Sequence, residues 1–458
     1  MLTIDTLTAR FIDMMHNQKV MRIFSRRSAG RATRYLLALL LLLAAPDATR
    51  AQVTAPPDIG GIYVIGQKYF LPPEVWSTSN GKTKGNGSLK PAVMNPGVDG
   101  VLIDLTWSDI SVAYRKYDWS LLDYMARVAV EKGKKFEIAI ITGSSTPDWV
   151  FAAPPDGYDA KYATFAYIQS GKPGATCLSQ TLPLPWDTNY LAAFGDLLDQ
   201  LSWHLKKKGY YPDLAMLRIT GINTLTDELR LPAAEKQCNV DNLQVWQSAG
   251  YRPALVRYAW RHVLRLYHRA FPDKVLNVAL ITTNGFPAFT ENGTPVASPP
   301  TAEKTAQALG NAMTTQLVEE AGQELPAGWF VVQSNGLVLG YQQPDPVTIS
   351  DARKAHAMLA WQTNEWLGIP QTTTPVGAPS SCGGAACSGS RIQPIPCTAS
   401  TFARMLTSGI YPNGTTGPKP LQAQYLELFP ANIIQFPQIV MQAHDLLMPL
   451  AASDPASR

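Results

Sequence analysis

Carboxyl, amide and aromatic side chains come together at four places in this chain, and those residue types point to one kind of chemistry. In Trp361-Gln362-Thr363-Asn364-Glu365-Trp366 a glutamate stands between two tryptophans. In Ile219-Thr220-Gly221-Ile222-Asn223-Thr224-Leu225-Thr226-Asp227-Glu228 a side-chain amide precedes two acids. Tyr425-Leu426-Glu427-Leu428-Phe429 alternates so that Glu427 shares a face with two aromatic residues, and Asp104 interrupts the aliphatic run Val101–Leu105. Hydrolysis of a glycosidic bond takes one carboxyl group that protonates the leaving oxygen and another that attacks or activates water. Sugar rings stack on aromatic faces. On this reading Glu365 and Glu228 are the catalytic candidates. Asp104, Asn223, Gln362, Glu427, Trp107, Trp149 and Trp366 are candidates for substrate binding, and Asp109, Asp148 and Asp227 complete the set of acids near strand ends.

Each candidate also has an ordinary reading. Glu365 fits a solvated rim, and Glu228 fits the acidic first turn of a helix capped by Thr226. Glu427, if inward, fits a pair with a barrel arginine or a hydrogen-bond network, since an unpartnered inward carboxylate is costly. Strand-end tryptophans are ordinary core material as well. Other chemistries fit less well. Of six histidines, His204, His262 and His268 fall in expected helices, and no Gly-x-Ser-x-Gly elbow occurs. The cysteines lack the spacing and the neighbouring histidine that zinc requires. No cofactor is expected.

The elements that must hold these residues alternate. Short aliphatic or β-branched runs at 61–69, 101–106, 136–142, 215–220, 275–281, 329–333, 357–362 and 424–428 read as strands. Amphipathic stretches including 119–132, 190–208, 253–270, 302–321 and 436–450 read as helices. Eight such units predict an α/β fold, a (β/α)8 barrel over residues 52–458 as a single domain. A Rossmann sheet is disfavoured because no glycine-rich loop follows the first strand. The connections entering strands are short, whereas 143–188, 221–252, 285–300 and 367–398, which leave them, are long. Elaboration is therefore concentrated on the C-terminal face, which carries function in this fold.

Five cysteines, Cys177, Cys238, Cys382, Cys387 and Cys397, lie in those long loops. Cys177 with Cys238, and one bridge among the other three, are the expected pairings in an exported protein. Residues 1–51 read as a signal peptide: Arg26, Arg27, Arg31 and Arg34 precede an apolar run at 35–45 that is too short to span a bilayer, and translation is expected to start at Met21. A secreted or periplasmic protein with no stable membrane insertion follows. A formal charge of +4 without a basic stripe argues against nucleic acid as a partner. The sequence does not determine the oligomeric state.

Gly100-Val101-Leu102-Ile103-Asp104-Leu105-Thr106-Trp107, Tyr117-Asp118-Trp119-Ser120-Leu121-Leu122-Asp123 and Thr146-Pro147-Asp148-Trp149-Val150 together resemble the second and third βα units of clan A glycoside hydrolases, especially β-galactosidase-like barrels. The resemblance covers about the first third of the mature chain by motif and the rest by topology. It implies a retaining mechanism on a carbohydrate substrate, with an acid/base glutamate after the fourth strand, usually preceded by asparagine, and a nucleophilic glutamate at the end of the seventh. Glu365 matches the nucleophile position. Glu228 departs from the acid/base pattern, because five residues separate it from Asn223. A retaining pair would stand about 5–5.5 Å apart. The rival expectation is a carbohydrate-binding barrel that has lost its acid.

Overall fold

A computed structural model describes residues 56, 58–169, 176–233, 236–237, 240–281, 285–296, 303–337, 346–363, 398–412 and 422–448. Eight parallel strands close into a barrel. They are β1 (Gly61–Gly66), β2 (Gly100–Thr106), β3 (Lys135–Ile141), β4 (Leu214–Arg218), β5 (Val275–Leu280), β6 (Phe330–Leu337), β7 (Met358–Thr363) and β8 (Tyr425–Leu428). Each pairs with its sequence neighbours, and β1 closes on β8 through Gly61 opposite Tyr425. The (β/α)8 expectation is met, with every anticipated strand present. The helices between and after them include α1 (Leu89–Val93), α2 (Ser120–Val130), α3 (Thr188–Lys208), α4 (Pro253–Ala270), α5 (Glu303–Glu324), α6 (Pro346–Lys354), α7 (Ala399–Ile410) and α8 (Pro437–Leu447).

Local chemistry explains the helix limits. Asp187 accepts from the Tyr190 amide at 2.9 Å to start α3, and Gly209, at φ 77°, ends it behind Lys206, Lys207 and Lys208, whose charges suit the helix C-terminus. Pro253 opens α4, where its missing N–H is no loss. Among the described residues no helix is long and apolar enough to cross a membrane.

Strand alternation divides the side chains. Ile62, Val64, Val101, Ile103 and Ile138 face the helices in the main apolar core. Tyr63, Met216, Val275, Val331 and Tyr425 form a separate cluster, and Ile65, Leu102, Ala139 and Phe429 another. Between them lies a buried polar layer of Glu137, Arg218, Asn277, Gln333 and Glu427, where a barrel of this type more often carries branched aliphatics.

The long connections have structure of their own. The 143–188 segment contains an antiparallel hairpin, Tyr162–Gln169 with Thr176–Pro183, which sequence reading passed over as loop. The 221–252 segment contains the helix Asn242–Ser248. The two lock together. Asn242 accepts from the Ala166 amide at 3.2 Å and donates to its carbonyl at 3.1 Å, while the Phe165 and Trp246 rings meet at 4.3 Å. Cys177 in this hairpin is disulfide-bonded. Cys238, Cys382, Cys387, Cys397 and the expected signal peptide lie outside the described residues.

Candidate active site

The polar layer is organised by Arg218, the last residue of β4. Fully buried, it donates through Nε to Glu137 Oε1 at 3.3 Å, through Nη2 to Glu137 Oε2 at 3.4 Å and to Gln333 Oε1 at 3.2 Å. Glu427 and Asp227 also pair with it. Tyr425 Oη donates to Glu137 Oε2 at 2.5 Å, and Asn277 Nδ2 bridges Glu137 and Gln333 at 3.0 and 2.8 Å. Burial alone would lower the Arg218 pKa, but the charges of Glu137, Glu427 and Asp227 outweigh it and hold the guanidinium protonated. Burial pushes the Glu427 carboxyl up to about 8; Arg218 pulls it down and Glu137 adds to the rise. Glu427, expected among the sugar-binding residues, instead belongs to this internal network and does not line the cavity above it. The ordinary reading, a pair with a barrel arginine, is the one observed.

Asp227 links this layer to the mouth of the barrel. Above it opens a cavity of about 410 Å³ at the C-terminal ends of the strands. Period-two alternation supplies much of its wall: Gln67 just past β1, Leu102, Asp104 and Thr106 of β2, Ile141 of β3, Asn335 of β6, Gln362 of β7, and Phe429 just past β8. Lys68, Tyr69 and Asp109 form part of the rim, and the loop Leu225–Glu228 completes the lining. Tyr69 is 48% exposed and meets Trp76 edge to face at 5.0 Å, which leaves an aromatic surface at the entrance.

No helix begins at Thr226, so the first-turn explanation for Asp227 and Glu228 fails. The loop is shaped by hydrogen bonds instead. Asn223 accepts from the Gly221 amide at 3.1 Å and from Thr142 at 2.5 Å, and donates to the Thr226 carbonyl at 2.8 Å. Its amide is thereby spent on the loop, which corrects the expectation that it meets a sugar hydroxyl. Gly143, at φ 56°, lets the segment after β3 pass close beside this loop, because a Cβ there would lie 2.0 Å from the Thr224 carbonyl oxygen. Glu228 is held by the Thr226 hydroxyl, by Asn335 Nδ2 at 3.4 Å and by Arg230 at 3.7 Å. The same Asn335 amide reaches Asp227 at 3.4 Å.

Asp104 accepts from Gln67 Nε2 at 2.6 Å through Oδ2, while its Oδ1 is buried with no hydrogen-bond partner. Burial first, then the negative charge of Asp227, raises its pKa to about 7, against the pull of the Gln67 hydrogen bond and Arg218. Glu228 adds to the rise. The carboxyl therefore holds a proton near neutrality. Gln362 Oε1 is likewise buried without a partner.

The structure thus brings Asp104, Glu228 and Gln362 together on one cavity and leaves other candidates elsewhere. Trp107, at 0% exposure, packs behind the strands against Trp149 and Phe194 at 5.9 and 6.1 Å. It starts the short helix Trp107–Ile110 and shares the outward parity of Ile103 and Leu105, which lie with it in the main core. Trp149 donates to Ser111 Oγ at 2.9 Å and is not in the cavity wall either. Neither tryptophan offers the stacking surface expected of it. Glu365 and Trp366 lie outside the described residues. Sequence reading overlooked Gln67, Tyr69, Asn335 and Arg218. Tyr69 and Gln67 fall inside the expected 61–69 run, on the same parity as Tyr63 and Ile65, so the period-two rule applied within that run could have found Gln67.

No protein family matches this chain, and no curated protein is similar to it in sequence. Among solved structures it is similar to an intracellular xylanase of Thermoanaerobacterium saccharolyticum, at 10% identity and a TM-score of 0.38 over 67% of this chain and 73% of that one. Xylanase B of Clostridium stercorarium gives 10% identity and a TM-score of 0.38 over 81% and 85%. An exo-β-1,4-mannosidase from an Opitutaceae bacterium gives 12% and 0.33 over 69% and 54%. Likeness at this level carries no argument about activity, and the barrel rests on its own strand order and register.

Proposed function

We propose that this protein is a secreted or periplasmic glycoside hydrolase that cleaves O-glycosidic bonds of an oligo- or polysaccharide through two carboxyl groups. The observation that carries the reading is a polar cavity at the C-terminal mouth of the barrel with a proton-holding acid, Asp104, close to Asp227 and Glu228. Amides of Gln67, Asn335 and Gln362 suit sugar hydroxyls, and Tyr69 and Phe429 offer apolar faces. Glu365 is the proposed nucleophile. It lies outside the described residues, and its role rests on the sequence. The proton donor comes from the acids of the wall. The retaining outcome, the Cys177–Cys238 pairing and export belong to the same reading and rest on the sequence.

Hydrolysis of a panel of aryl glycosides and polysaccharides tests it. Glu365→Gln, and separately the double variant Asp104→Asn with Glu228→Gln, are expected to lose about 10²–10⁴-fold or more in kcat/KM with thermal unfolding intact. If the wild type cleaves nothing, yet binds sugars as well as both variants do, the protein is a carbohydrate-binding barrel.

A further inference from the structure

Arg218 sets the direction of a hydrogen-bond chain that runs from the barrel interior to the cavity. A guanidinium carries donors only, so the atom of Gln333 that meets Arg218 Nη2 at 3.2 Å has to be the oxygen. That oxygen also accepts from Asn277 Nδ2 at 2.8 Å. Turning the Gln333 amide over would set its NH2 against the guanidinium. The nitrogen therefore faces the other way and spends its two hydrogens on Glu427 Oε2 and Asn335 Oδ1, each at 2.8 Å. The constraint passes to the next amide. Asn335 has to present its oxygen to Gln333, because its nitrogen there would face another donor, and so its Nδ2 points toward the cavity that it lines.

The backbone supports this placement. Between the pairs Ser334–Trp361 and Leu337–Thr363, Asn335 and Gly336 stand opposite the single residue Gln362, a β-bulge at the end of β6. Gln333 and Asn335 share the inward face, while Leu337, beyond the bulge, packs in the main outer core. The Asn335 Nδ2 hydrogens are fixed in direction but held loosely. Their protein acceptors, Asp227 Oδ1 and Glu228 Oε1, both lie at 3.4 Å. A well-formed N–H···O bond spans roughly 2.7–3.2 Å, so this donor has capacity left for a ligand.

We propose that Asn335 is a specificity-determining residue: its Nδ2 donates to a hydroxyl oxygen of the bound sugar, and Gln333 is the residue that positions it. This rests on the carbohydrate reading above and applies to hydrolysis and to binding alone. The amide recognises the sugar through a lone pair, so the ring position it meets must carry an acceptor. An analogue without that oxygen leaves the donor with its two long bonds only. Binding requires no turning of the amide, because Arg218 has already imposed its direction.

Neutron diffraction from deuterium-exchanged crystals reads the two amides in the wild type. Deuterium on Gln333 Nε2 directed at Asn335, and on Asn335 Nδ2 directed into the cavity, is expected. An Asn335 oxygen on the cavity side would overturn the proposal whatever sugar binds. Calorimetric titration then uses the methyl glycosides of glucose, galactose, mannose and xylose, and the monodeoxy analogues of whichever binds. One deoxy analogue should bind the wild type about 3–10-fold more weakly than its parent. Asn335→Ala should bind that analogue and its parent equally while keeping the other deoxy penalties, a selective loss that a general loosening of the fold would not give; thermal unfolding checks the fold itself. Deoxy penalties unchanged at every position in Asn335→Ala would overturn the assignment and leave the carbohydrate reading standing. A wild type that binds none of these glycosides and no polysaccharide would remove both.

Discussion

Two adjacent regions of the barrel interior are rich in carboxyl groups and treat them in opposite ways. Around Arg218 the charged groups are matched, with Asn277 Oδ1 the unpartnered atom of the layer: Glu137, Glu427 and Asp227 surround one guanidinium, and Tyr425, Asn277 Nδ2 and Gln333 take up remaining valences. In the cavity above, Asp104 Oδ1 and Gln362 Oε1 are buried without partners, and Asp104, unlike Glu427, has no cation hydrogen-bonded to it to oppose its raised pKa. A matched network fixes geometry; an unmatched one stores the capacity to bind and to donate. Asp227 belongs to both, so the position of the cavity floor is set by the network beneath it.

The comparison can be broken from below. Arg218→Met leaves three carboxyl groups buried without their cation and is expected to destabilise the protein by about 3–5 kcal/mol in urea denaturation at pH 7. Adding Glu137→Gln and Glu427→Gln should recover most of that, because a neutral layer has no charge left unpaired. Failure of this recovery would mean that the layer contributes more than charge compensation.

It can also be sharpened by pH. The folded pKa values of Asp104, about 7 against an ordinary 3.8, and of Glu427, about 8 against 4.5, are both raised. The folded state then holds more protons than the unfolded one between those limits. The stability from these groups is complete below about pH 4 and is lost as pH rises through 7 and 8. Thermal unfolding should accordingly weaken from pH 5 to pH 9, and Asp104→Asn with Glu427→Gln should flatten that fall. A profile unchanged by the pair of substitutions would show that both acids are already ionised at pH 5.

Smaller effects separate the cavity from its supports. Trp107→Phe is expected to cost about 1–3 kcal/mol while leaving KM within about twofold, since the ring packs behind the strands. Tyr69→Ala should do the reverse, raising KM with little change in stability. Lys68→Met, at the partly buried pair with Asp109, should shift stability by about 1 kcal/mol.

Much of this organisation was legible along the chain. Runs of β-branched and aliphatic residues gave all eight strands, and period-two alternation put Glu427 on the inward face; the wall positions of Asp104 and Gln362 come from the structure. The misassignments have a common cause. Asn223 and Trp107 were judged by their position at strand ends, yet the first is consumed by hydrogen bonds to its own loop and to Thr142, and the second follows Ile103 and Leu105 onto the outward face. Arg218 gave little local sign of its role, because Glu137 and Glu427, two of its three carboxylate partners, stand 81 and 209 residues away in sequence.

The sequence by itself determined the alternation of strands and helices and the face to which each side chain points, because both follow from local periodicity and capping. Only the tertiary structure decided which acids are neutralised. Compensation depends on distances between side chains carried by different strands, and those distances are set when β1 closes on β8.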